Sequence, residues 1–79
     1  MDKTKALEIL NREKDYEDAL VDRLSIYFIS RLDSIPDLSE QEKDRIEHHL
    51  TIIISESRRH SDLFNELVEM VFDSDKEEF

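Results

Sequence analysis

The chain has 79 residues, with 11 Lys+Arg against 21 Asp+Glu for a formal charge of −10, one proline, and no glycine, cysteine or tryptophan. One small domain is the ceiling at this length, and without cysteine there are no disulfides, zinc–thiolate sites or thiol chemistry. Without glycine there is no Rossmann or Walker loop to let backbone amides crowd a phosphate, and the acidic excess disfavours a nucleic-acid partner.

Chain order gives two helices. Helix 1 is expected over about residues 3–33, capped by Asp2 or Thr4, with an apolar stripe of Ala6, Ile9, Leu10, Leu20, Leu24 and Tyr27. Within it, Ile26–Ile29 is rich in β-formers, as is Thr51–Ile54 further on. Both runs have Glu/Arg/Leu-rich flanks without turn signals, so both are assigned to helix. Pro36 opposes helix just before itself and places a loop at 34–39. Ser39 followed by Glu42 is a capping box, so helix 2 is expected over about 40–72. Its stripe is Ile46, Leu50, Ile53, Ser57, Phe64, Leu67 and Val71. The tail at 73–79 is acidic and aperiodic and is expected to fray. The longest apolar runs, Ile26–Ile29 and Ile52–Ile54, fall far short of the roughly 20 residues of a membrane span. The first residues carry no apolar signal region, so a cytoplasmic protein without a membrane partner is expected.

The fold class is therefore all-α, an antiparallel two-helix hairpin. Helices of this length would each run about 45 Å. A lone pair buries one seam, and isoleucines 26, 29, 52 and 54 lie off the main stripes and need cover. A homodimer completing a four-helix bundle is the simplest solution. A monomer whose groove faces a protein partner is the alternative.

Four polar residues interrupt the apolar pattern. Glu13 lies within the helix 1 stripe and Glu17 beside it; His60 lies within the helix 2 stripe and Glu56 on its flank. With helix 1 ending near 33 and helix 2 starting near 40, Glu17 comes level with Glu56 and Glu13 with His60. Ionised carboxylates in an apolar seam need compensation, and a cation supplies it. Oxygen and imidazole donors in this mixture point to iron or manganese. Tyr16 and Tyr27 read as core aromatics, and His49 as structural.

Helix-borne glutamates with a Glu/His pair beside Ser55–Phe64 resemble the ferritin-like, rubrerythrin-type di-iron proteins, over about residues 13–67. Short two-helix members of that group dimerise. The resemblance implies that each chain gives one glutamate from helix 1, here Glu17 or Glu13, and Glu56 with His60 from helix 2. It also implies a metal centre between two chains that oxidises Fe(II). The family spacing is Glu-x-x-His, whereas Glu56 and His60 are four apart. The same residues also admit a metal-free reading: a dimerisation or adaptor module in which Glu56 and His60 share only an i, i+4 contact.

Overall fold

The computed structural model describes all 79 residues as two antiparallel helical arms without a strand. Helix α1 spans Lys3–Asp22 and helix α2 spans Glu40–Asp73. Between them the first arm stays helical but changes pitch. Arg23–Phe28 forms a π turn and Ile29–Ser34 a 3₁₀ segment.

Caps explain the starts. The Asp2 carboxylate accepts from the Lys5 amide at 2.7 Å and opens α1. Ser39 accepts from the Glu42 amide at 3.1 Å, and its hydroxyl donates to the Glu42 carboxylate at 3.1 Å. Half of the capping box forms: the Ser39 cap is in place, while the Glu42 carboxylate takes the Ser39 hydroxyl rather than its amide. The connection turns at Asp37, whose φ of 64° lies in the left-handed region. It is preceded by an extended Ile35 and by Pro36.

The acidic tail departs from expectation. Beyond Ser74 it lies against the start of α1. Lys3 N–H donates to the Glu77 carbonyl at 3.0 Å, Asp2 and Glu78 form an isolated antiparallel bridge, and the Lys3 ammonium donates to the Ser74 carbonyl at 2.8 Å. The same ammonium lies 5.9 Å from the Phe72 ring centroid. These bonds give the last residues backbone partners that their composition does not advertise.

The molecule is a rod, with extents of 57 × 15 × 14 Å and a radius of gyration of 17.6 Å. A compact domain of this length would have about 12 Å. Only Ala6, Leu32, Ile54, Ser57 and Ser61 are buried. Two-seamed helices account for this. On α2, the inner seam carries Ile46, Leu50, Ile54, Ser57, Ser61 and Phe64 towards α1. A second seam beside it, stepping by alternate threes and fours, carries Ile53, Glu56, His60, Leu63, Leu67 and Met70, all exposed. On α1, Ile9, Glu13, Tyr16 and Leu20 repeat the same steps, and all but the half-buried Ile9 are exposed. Angular bookkeeping at about 100° per residue puts both second seams on one side of the hairpin. The opposite side, with exposed Asp15, Asp22, Thr51, Ser55, Arg58 and Asp62, is polar.

Each stripe expected from the sequence mixes two neighbouring seams, because the apolar centre of a two-seamed helix falls between them. Ile54 therefore takes the core position expected of Ile53, and Tyr16 and Tyr27 are surface residues rather than core aromatics. Tyr27 instead lies under the Arg31 guanidinium, 5.4 Å from its ring centroid.

Candidate functional site

Register decides which of the candidate residues meet. The contacts place α2 about one turn further along than a tight connection from Asp33 to Glu40 would. Lys43, rather than Glu40, reaches Asp33, at 3.5 Å. The pairing is displaced by one helical turn, and Glu17 comes level with His60 instead of Glu56. His60 Nδ1 lies 3.4 Å from Glu17 Oε1.

This corrects the expected convergence of three carboxylates and an imidazole at one height. Glu56 lies one turn before His60 and is exposed, held by Arg59 on its own helix at 3.3 Å through Nη2. Glu13 lies one turn before Glu17, also exposed. Within one chain no three His, Asp or Glu side chains gather to hold a single ion. All four candidates nevertheless share the apolar side of the hairpin, with the Glu17–His60 pair near mid-length. Leu63, Phe64 and Leu67 join that pair around an open cleft of about 350 Å³. Glu17 is the better shielded partner, its side chain 24 % exposed against 47 % for His60. His49, on the same side, is tied to its own helix through Nδ1 and the Arg45 carbonyl at 2.7 Å.

Behind the pair is a contact that sequence reasoning missed. Ser61 Oγ donates to Asp18 Oδ1 at 2.6 Å, and Lys14 Nζ donates to Asp18 Oδ2 at 2.9 Å. The Lys14 ammonium and then the Ser61 hydroxyl hold the Asp18 carboxyl below the usual carboxylate range. Asp18 in turn raises Lys14, by its hydrogen bond first and its charge second. Ser57 and Ser61, four apart on the inner seam, were the available signal. Small hydroxyl side chains at core spacing admit a polar partner from the facing helix.

Chemically, the pair offers one carboxylate and one imidazole side by side, at the edge of an apolar surface. Two donors do not complete a transition-metal site, although both are of the type that binds iron, manganese or zinc. No helix is long and apolar enough to cross a membrane. Comparison with known proteins identifies no relative: no family model, no curated protein and no solved structure matches the chain.

Proposed function

We propose that the protein is a ferritin-like hairpin that acts as a homodimer, two copies closing a four-helix bundle over their apolar sides. Within it Glu17 and His60 of each chain hold iron or manganese, with Glu13 and Glu56 one turn away as further carboxylates. The observation that carries this reading is the placement of the Glu17–His60 pair, near mid-length of the one exposed apolar side.

The surface area supports a second copy as the occupant. The chain exposes 6106 Å² at 9.5 kDa. A compact monomer of this mass exposes about 5,000 Å², so the excess is on the order of 1,000 Å². That resembles the roughly 800 Å² per partner of a standard interface. Apolar side chains also reach well beyond the pair, from Ile9 to Tyr27 on the first arm and from Ile53 to Met70 on α2. This extent favours, as a second reading, a metal-free association module built on the same side.

Elemental analysis separates the two. Protein purified without chelator and loaded with Fe(II) or Mn(II) is expected to retain metal, and Glu17→Ala or His60→Ala to lose it. Glu13→Ala and Glu56→Ala are expected to lose less. A dimer that retains no metal after loading establishes the second reading. Retention unaffected by both Glu17→Ala and His60→Ala refutes the assigned ligands.

A further inference from the structure

The Glu17–His60 pair does not set its own geometry. Both side chains are long, their contact is 3.4 Å, and the imidazole is half-exposed. At that level the inner seam is thin in apolar side chains, with Ile54 and Phe64 a turn away on either side. The α2 residues facing α1 there are Ser57 and Ser61, 4 % and 5 % exposed, too small to interlock with a facing residue. A slide of one residue is about 1.5 Å and a turn of one residue about 100°. Large interdigitated side chains would resist both motions; serines do not.

The specific contact between the helices at that level is the bond between the immediate neighbours of the pair. Asp18 follows Glu17 and Ser61 follows His60, and the Ser61–Asp18 bond is 2.6 Å long. Adjacent residues project about 100° apart, so this bond lies on the polar side of the interhelical seam while Glu17 and His60 lie on the apolar side. The surroundings agree. Asp18 and Ser61 border a cleft with Val21, Asp22, Arg58 and Asp62, polar but for the valine, whereas Glu17 and His60 border the one formed by Leu63, Phe64 and Leu67. A one-residue shift, a slide of about 1.5 Å with a turn of about 100°, breaks the 2.6 Å hydrogen bond and swings Glu17 away from His60. Lys14 completes the clamp, holding the other Asp18 oxygen at 2.9 Å from one turn earlier on α1.

We propose that Asp18 and Ser61 are positioning residues which lock α1 and α2 in the register and rotation that bring Glu17 against His60. Their importance for metal rests on the function proposed above; the clamp itself does not. Neither residue touches the ion. Ser61 acts on His60, and Asp18 on Glu17, through the backbone of one shared helical step.

The test uses the full chain and two readouts. In the metal-free protein, nuclear Overhauser contacts between the Glu17 Hγ protons and the His60 ring are expected in the wild type. They are expected to be lost in Ser61→Ala and Asp18→Ala, and kept in Ser61→Thr, which retains the hydroxyl, and Asp18→Asn, which retains an acceptor. Circular dichroism controls for folding. Should an alanine variant fail to fold, Ser61→Cys, a weaker donor of similar shape, is expected to weaken the same contacts. Contacts unchanged in every variant that removes or weakens the bond overturn the clamp.

The second readout is Mn(II) affinity. It is expected to fall between about tenfold and a hundredfold in Ser61→Ala and to return in Ser61→Thr. A Ser61→Ala protein that loses the contacts yet binds Mn(II) as the wild type does overturns the positioning role. A wild type that binds no Mn(II) overturns the proposed function instead, and the Overhauser contacts still decide the clamp.

Discussion

Leu63→Ser combined with Leu67→Ser tests the apolar side directly. Both residues belong to the outer seam of α2, and they are 44 % and 42 % exposed in the single chain. Complete burial of a leucine is worth about 1.5–3 kcal/mol, so the exposed share of each comes to about 0.6–1.3 kcal/mol. Symmetry counts both positions twice, giving about 2.6–5 kcal/mol per dimer. At 1.4 kcal/mol per decade, the dissociation constant is expected to rise between about a hundredfold and several thousandfold. Sedimentation equilibrium from micromolar to millimolar protein reads this as a shift from twice 9.5 kDa towards 9.5 kDa. Far-ultraviolet dichroism is expected to keep its helical signal, because neither leucine faces α1. The salt response gives a second sign. Each chain carries −10, so copies repel one another, and added salt is expected to tighten the dimer, opposite to an interface built on ion pairs. A wild type that stays at 9.5 kDa at millimolar concentration, or a double variant with unchanged mass, refutes the reasoning.

Three further outcomes follow from local structure. Ser39→Ala removes the acceptor for the Glu42 amide and is expected to cost about 1 kcal/mol, lowering the thermal midpoint by several degrees. Asp18 sits below its ordinary value of 3.8, so its stabilisation is present above that value and lost as pH falls through the lower folded one. Urea titrations below about pH 4 should therefore show Asp18→Asn with a shallower acid loss than the wild type; equal slopes would argue against the Lys14 and Ser61 contacts. Asp37→Gly relieves a left-handed residue at φ 64° and is expected to stabilise by up to about 1 kcal/mol, whereas Asp37→Val destabilises. Chemical denaturation measures both.

Much of the hairpin is written in local chemistry. Ser39 with Glu42 marks the start of α2 at Glu40, Asp2 caps α1, and Pro36 places the turn, because each acts through neighbours within four residues. Register is not local. It depends on the path of the connection and on a first arm that changes from α to π to 3₁₀ pitch. Neither leaves a trace in apolar periodicity, since a stripe drawn at 100° per residue assumes one pitch throughout. The error of one turn was enough to pair Glu17 with Glu56 rather than His60. Glu17 and His60 were visible as polar interruptions of apolar stripes, and Glu13 and Glu56 do share their side of the hairpin. Asp18 and Ser61 were hidden for a different reason. An aspartate in an acidic chain and a serine among serines acquire meaning only when a facing helix brings them together.

Were two copies to pair over their apolar sides as proposed, the polar side of the rod would govern how assembly ends. An isologous contact uses the same surface on both copies, so docking consumes the sticky side of each at once. What would then face outward along the middle of the rod is Asp15, Asp22, Arg58, Asp62 and their neighbours, a mainly polar surface. In the proposed dimer, growth would end at two. Arg58→Leu with Asp62→Leu would give each hairpin a second adhesive plane and turn a closed pair into an open stack. The scatter of charge along that side would thus act as a stop signal for polymerisation.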